Sequence, residues 1–460
     1  MTSPAPAAAA PEVPAPATPL PATAYAWFVV GALSLINMVS YVERQILTLL
    51  FTPIKRDFHL SDTQVSLLAG AAFVLFYVAF GLLFGRLADR RNRRAIIMTG
   101  AVFWSLATTA CGLAQNFLQL FLARISVGVG EASLGPSALS MISDCFPRER
   151  LPRAISFYTG AQYVGAGLAL VVGGFAIHVV SALQPPTLPV VGTLRPWQMT
   201  FAFVGLGGLL TLLPMTLVRE PARRGLAHPA QGGASGGFAQ LFRFLSENRR
   251  MFAAHFIGFS ISSMLGFGTV AWVPTFFIRV HGFAAQDIGY LYGSMLAVLG
   301  GAGVLAGGQI AERMQARGIK DACFVLPIVS MPASAGLLIA ALLAPTAKAA
   351  LGLLAVSTFL SSFPVSPIIA ALQAVAPNQL RGQLVALYYF IANVLGVASG
   401  PTVVALLTDY LYRSEAAVGL SLATASAVIT PIVIAILWLG RPGYRDSLER
   451  AERLYSSPAT

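Results

Sequence analysis

The chain has 460 residues, of which 56% are hydrophobic and only 10% charged, and its mean hydropathy is +0.72. A water-soluble domain carries about a quarter charged residues, so a large soluble enzyme is excluded, and the apolar runs leave no room for a separate soluble domain. The net charge of +12 invites a nucleic-acid partner, but the basic residues follow a membrane pattern instead, and no nucleic acid is expected.

Residues 1–23 are rich in Ala, Pro and Thr and have no basic start. They read as a disordered cytoplasmic tail and not as a cleaved signal peptide. Twelve apolar spans follow, near 26–50, 64–85, 95–115, 118–143, 154–180, 198–218, 251–278, 287–310, 322–343, 349–374, 382–409 and 417–440. Each is long enough to cross about 30 Å of hydrocarbon. With the N-terminus inside, twenty-two of the 30 Lys and Arg fall on the inner side. Six face out: Lys55, Arg56, Arg195, Arg279, Lys348 and Arg413. That asymmetry predicts cytoplasmic N- and C-termini.

Span 1 carries Glu43 and Arg44, and span 4 carries Arg124 and Glu131. These are the charges deep inside apolar runs. Each costs roughly 2.5–3.5 kcal/mol at a helix centre if unpaired, so they are expected to face a polar interior and partner one another. At 1.5 Å per residue Glu43 lies about 24 Å from the inner end of span 1, and Arg124 about 9 Å from the outer end of span 4. Glu131 is two turns beyond Arg124, on the same face and roughly 10 Å deeper. The expected track has Glu43, Arg44 and Arg124 above and Glu131 below. A carboxyl between an apolar wall and a movable arginine can take up and release a proton, which makes Glu131 and Glu43 candidate proton-coupling residues. Arg44 and Arg124 are candidate substrate or charge partners. The alternative is a permanent salt-bridge lock between helices.

Between spans 2 and 3 stands Gly85-Arg86-Leu87-Ala88-Asp89-Arg90-Arg91-Asn92-Arg93-Arg94. Span 5 is crowded with Gly160, Gly165, Gly167, Gly173 and Gly174, which permit close helix packing and sliding. Residues 219–250 form a linker. Gly232-Gly233 and Gly236-Gly237 are expected to keep its middle flexible, and Phe238, Leu241, Phe242 and Leu245 suggest an amphipathic surface helix, a plain linker being the alternative. It divides a bundle at 24–218 from one at 251–440, with a cytoplasmic tail at 441–460 in which a similar short surface helix is expected. Related loops recur after spans 4 and 10 (Pro147–Ala154 and Pro377–Gly382) and after spans 2 and 8, which argues for a duplicated six-helix unit. In such folds the substrate site lies between the halves near mid-membrane.

The second half offers His255, expected near the membrane interface, and many aromatic residues: Phe256, Phe259, Phe267, Trp272, Phe276, Phe277, Tyr388, Tyr389 and Phe390. A cavity polar on one wall and apolar on the other suits an amphipathic substrate with an anionic head. Cys111, Cys145 and Cys323 show no metal spacing. No Gly-x-x-x-x-Gly-Lys loop occurs, so ATP driving is not expected, and no catalytic constellation supports an enzyme or a lipid-handling catalyst. The duplicated design speaks against a channel or receptor.

The decapeptide resembles the first loop motif of the major facilitator superfamily, with Asn92 where the commonest form has Gly. Within that superfamily, Asn37–Arg44, Gly85–Arg94 and Ala123–Ser133 resemble the Spinster family, over residues 25–180. The resemblance implies an all-α membrane protein of twelve transmembrane helices in two pseudo-symmetric six-helix bundles. It implies proton-coupled alternating access and a sphingolipid- or lysolipid-like substrate. It further implies an inner latch, in which Gly85, Asp89, Arg93 and Arg94 meet the start of span 11 near Arg381. The family pattern has Asp where Glu43 stands, one methylene shorter. The expected partners are membrane lipids, an amphipathic or anionic small molecule and protons. No cofactor or metal is expected, and a monomer in a bacterial inner membrane is the expected state. A carrier of a small hydrophilic organic anion, such as a sugar acid, is the competing reading.

Overall fold

The computed structural model describes residues 21–147, 150–189, 192–223, 234–377 and 380–456. The expected tail therefore lies almost wholly outside the described residues, as do Gly232-Gly233 of the linker and parts of the two loops after spans 4 and 10.

Among the described residues, twelve helices are long and apolar enough to cross a membrane: Thr23–Leu49, Asp62–Arg90, Arg93–Cys111, Phe117–Cys145, Arg153–Ser181, Pro196–Thr216, Arg249–His281, Ala285–Ala316, Ala322–Leu342, Ala347–Val375, Arg381–Tyr412 and Glu415–Arg453. These are spans 1 to 12. Spans 1–6 and 7–12 form two six-helix lobes. The near end is the side where span 1 begins, and the far end is where it finishes.

Spans 2, 4, 6 and 10 are each built from two helical pieces. Span 4 breaks after Glu131, where Ala132 and Ser133 leave the regular ladder. Span 2 breaks at Gly70. A side chain there would come within 2.6 Å of the Ala398 carbonyl oxygen in span 11, so glycine is what lets the two lobes touch here. Span 11 meets it with a widened turn at Asn393–Val397, and span 8 has a similar turn at Leu296–Gly300. Such local π-turns displace the helical register and frequently accompany functional sites.

The lobes approach closely in the far half. Gly167 and Gly174 of span 5 bring its backbone against Ala297 and Gln286 of span 8, which settles how two of the span 5 glycines are used. Toward the near end the lobes draw apart: among the described residues, Gly301–Ala316 of span 8 and Arg381–Ala392 of span 11 pack mainly on their own lobe.

The linker helix is Ala234–Glu247, so Gly236 and Gly237 are helical and not flexible. They sit in its first turn, where a glycine costs little because few backbone bonds depend on it. Leu241 is buried, and Phe244 packs on Phe252 of span 7 with ring centroids 5.6 Å apart. The exposed Phe242 leaves one apolar contact turned outward.

The C-terminal tail is also different from expectation. A single helix runs from Val418 to Ser456, through Pro442. Its extension is anchored by Asp321, which precedes span 9 and pairs with Arg441 and with Arg445, the latter at 2.8 Å. Burial alone would push the Asp321 carboxyl up, but hydrogen bonds from Arg441 and Arg445 outweigh it and hold the group below the ordinary carboxylate range. The stabilisation is therefore complete above the unfolded value of 3.8 and is lost as pH falls through the lower folded value. Asp321→Asn should lower the melting temperature at pH 7 and remove that acid-sensitive component, as followed by thermal melting between pH 3 and 7.

Candidate functional site

The four deep charges converge on spans 1 and 4, but not as the one-dimensional spacing predicts. Arg44 and Glu131 form an ion pair of 2.5 Å, with side chains 13% and 1% exposed. Glu131 occupies the last position before the break in span 4, so its carboxyl turns toward span 1. The guanidinium of Arg44 lies over three rings, with its central carbon 4.9 Å from the centroid of Tyr41, 4.1 Å from Phe73 and 5.4 Å from Tyr77. Gly128 makes this possible. A side chain there would lie 2.4 Å from the Phe73 carbonyl oxygen, so span 2 could not come close enough to place Phe73 beneath Arg44.

Arg124 is fully buried and does not reach a carboxylate. Its nitrogens donate to the carbonyl oxygens of Leu68, Glu43 and Arg44 at 3.3, 3.4 and 3.4 Å. Carbonyl dipoles thus surround the charge, and Arg124 ties spans 1, 2 and 4 together. Its expected place as a second head-group partner is not supported by this geometry, because no surface of it is open to a cargo.

Glu43 is likewise set apart. It is fully buried between spans 1, 3 and 6, and its Oε1 accepts from the Ser105 hydroxyl at 2.9 Å. Thr108 is the other polar side chain beside the carboxyl, and neither arginine pairs with it. The helical turn explains the separation: Glu43 and Arg44 are adjacent, so they project about 100° apart, one into the lobe and one toward its surface. Glu43→Gln should therefore keep the fold and leave the pH profile of uptake unchanged, whereas Glu43→Leu should lower the melting temperature. Uptake between pH 5 and 8, with size-exclusion profiles, reads both.

The inner latch is not engaged. Asp89 is exposed and forms no ion pair among the described residues, and Arg381 donates to the Ala376 carbonyl at 3.2 Å. Arg93 turns inward within the first lobe, pairing with Asp144 of span 4 and with Glu220 at 2.8 Å. Arg94 donates to the Glu220 carboxylate through its backbone at 2.8 Å and to the Thr216 carbonyl at 2.9 Å. Arg223 caps the end of span 2 on the carbonyls of Ala88, Asp89 and Arg91. Gly85, packed only loosely near Pro136, keeps that helix end slim.

The far end carries a lock that the sequence reading missed. Asp62 of span 2 is fully buried and takes a bidentate pair from Arg279 of span 7, at 2.7 and 2.8 Å, and a third bond from Lys55 at 2.7 Å. Lys55 also reaches Glu415 at 3.1 Å. Asp409 of span 11 returns the exchange. It accepts from the backbone N–H groups of Asp62 and Thr63 at 3.2 and 2.7 Å, and from the Thr63 hydroxyl at 2.7 Å. A carboxylate of one lobe thus caps a helix start in the other, where unpaired N–H groups and the helix dipole favour an anion.

In the second lobe the aromatic wall is thinner than expected. Phe256, Phe259, Trp272, Phe276, Phe277 and Tyr388 are buried in the lobe, while Phe267, Tyr389 and Phe390 remain exposed. His255 is fully buried within the lobe, six residues from the near start of span 7. Its Nε2 bonds the Ile368 carbonyl at 2.8 Å, joining spans 7 and 10, and rings of Phe259 and Tyr388 pack on it.

Residues 33–401 match the model of the Major Facilitator Superfamily. The chain belongs to that superfamily. It is 27% identical to an MFS-type efflux pump of Mycolicibacterium smegmatis over 434 residues, covering 93% of this chain and 95% of the relative. It is 26% identical to protein spinster homolog 1 of Xenopus tropicalis, covering 84% and 74%. Among solved structures, a bacterial homolog to human lysosomal transporter Spinster, described as inward-facing and unoccupied, superimposes with a TM-score of 0.75 at 24% identity, over 95% of this chain and all of the other. The superfamily fold of two six-helix lobes is thereby shown, and the protein is an integral-membrane transporter of that superfamily that resembles the Spinster proteins, and not an enzyme. The resemblance read from spans 1–5 extends over most of the chain.

Proposed function

We propose that this superfamily member is a proton-coupled secondary transporter that works by alternating access on an amphipathic, lipid-like cargo of the sphingolipid or lysolipid class. The Arg44–Glu131 pair carries the reading. It is a buried ion pair at the inner surface of one lobe, and it can be opened by a proton. Protonation of Glu131 removes the charge that holds Arg44, and the freed guanidinium then takes the anionic head of the cargo. Loss of the proton restores the pair and expels the head. Proton and anionic head thus bind together, one on each half of the opened ion pair.

The charge asymmetry supports a near end in the cytoplasm, in the inner membrane of a bacterium. On that orientation the far-end lock closes the outer side, the near half stands open, and Asp89 is free to meet Arg381 only in the opposite state. Gly85, Arg93 and Arg94 hold the loop in position for that docking. The chain acts as a monomer. A small hydrophilic anion is the second reading, favoured by 26% identity over 289 residues to a protein of Escherichia coli described as a "Probable L-galactonate transporter". Arg44 would serve either head.

Proteoliposomes with an imposed pH gradient, offered lysolipids and sugar acids separately, test both. Uptake of a lysolipid, lost in Arg44→Ala, is the expected result. Flux indifferent to the pH gradient would end the proton assignment, and sugar-acid uptake without lysolipid competition would select the second reading.

A further inference from the structure

Arg44 is held as a ligand is held. Three aromatic faces from two spans surround its guanidinium, and one carboxylate closes the ring of contacts. Phe73 and Tyr77 stack at 5.5 Å with only 20° between their planes, so that they present adjoining faces to it. Phe73 and Glu131 form a buried floor, whereas Arg44, Tyr41 and Tyr77 are partly exposed. Two buried atoms of the arrangement have no hydrogen-bond partner among the described residues: Glu131 Oε1 and Arg44 Nε.

An anionic cargo has no use for this cage. Aromatic faces carry negative potential and attract cations, quaternary ammonium and guanidinium groups above all. A site built only to offer Arg44 to an anion would gain nothing from three rings beneath it. The long arginine stem, meanwhile, has several rotatable bonds and a water-reachable side, so it can withdraw and leave rings and carboxylate behind.

We propose that the cage of Tyr41, Phe73, Tyr77 and Glu131 is itself a binding site for lipophilic organic cations, with Arg44 as its tethered resident. A cation with quaternary or delocalised charge displaces Arg44, pairs with ionised Glu131 and lays its apolar substituents on the rings. The exchange is cation for cation on the same acceptors, so the carboxylate never stands uncompensated. This rests on reading the Arg44–Glu131 pair as the cargo site, but it predicts the opposite response to loss of Arg44. An anionic head needs that arginine, while a cation competes with it.

The test is equilibrium binding of tetraphenylphosphonium to the purified full-length protein at pH 7.5, with no pH gradient. Arg44→Ala should bind at least tenfold more tightly than wild type. Glu131→Gln should bind at least tenfold more weakly, and Phe73→Leu several-fold more weakly. Neutral triphenylphosphine oxide should not compete. Size-exclusion profile and melting temperature establish folding, and Arg44→Gln replaces Arg44→Ala if the latter does not fold. Binding that Arg44→Ala fails to tighten, that Glu131→Gln leaves unchanged, or that the neutral oxide displaces equally would overturn the proposal. Lysolipid binding by the same proteins separates the two readings: its survival in Arg44→Ala would sink the anionic head-group assignment and leave the cation cage standing.

Discussion

Glu131→Gln should abolish uptake driven by a pH gradient, by at least tenfold, while leaving the twelve-helix body folded and downhill exchange of cargo intact. The amide keeps the size of the carboxyl, so the break after Glu131 and the packing on Phe73 survive. What disappears is the charge that recaptures Arg44. Breaking a buried pair by removing one partner costs about 3–5 kcal/mol when the other charge is stranded. Arg44 is not stranded to that degree, since 13% of its side chain is already exposed and the rings still face it. The cost to folding should therefore sit well below that figure. The cost to coupling is total, because a group that cannot ionise cannot tie head-group binding to the uptake of a proton. Uptake should lose its dependence on the gradient and persist only down a cargo gradient. Full gradient-driven uptake in a well-folded Glu131→Gln protein would remove Glu131 from the mechanism.

The spans were legible because hydrocarbon thickness imposes a length that no soluble helix needs. Their ends were less so. The helix through Pro442 is sustained by Asp321, more than a hundred residues upstream, and no local pattern announces that pair. The deep charges were visible for the same reason the spans were, since a charge in an apolar run stands out. Their partners were not. Counting rise per residue set Arg44 and Glu131 at different levels, yet an extended arginine side chain bridges the difference, and the break in span 4 turns Glu131 toward it. Arg124 found carbonyls instead of a carboxylate, a choice that depends on which backbone lies nearby. Lys55, Asp62, Arg279, Asp409 and Glu415 looked like ordinary flanking charges of spans, and only the folded chain brings both lobes' charges to one place. One sequence clue was available: these charges cluster on the side that is otherwise poor in them.

That lock carries the second large expectation. Asp62→Asn should swing the protein toward a state open at the far end. With the carboxylate gone, Arg279 and Lys55 face each other in a buried place with only Glu415, an exposed residue, to share. The penalty for stranding a buried charge, about 3–5 kcal/mol, falls on the closed state alone, because separated lobes let both cations reach water. A difference that acts on one state shifts the population by its full amount, roughly 10²–10³-fold at 1.4 kcal/mol per tenfold. Asp409→Asn should act more weakly, since the amide oxygen still accepts from the Thr63 N–H although the charge on the helix start is lost. Spin labels at His59→Cys and Ala284→Cys, one on each lobe at the far end, read the outcome, and Cys111, Cys145 and Cys323 are buried and will not compete for label. The long-distance population should become dominant in Asp62→Asn. Removing the stranded cation as well, in Asp62→Asn with Arg279→Gln, should restore part of the closed population, because the repulsion that drives opening goes with it. Label distances in Asp62→Asn that match the parent protein would mean that the glycine-lined helix seams, and not these charges, hold the far end shut.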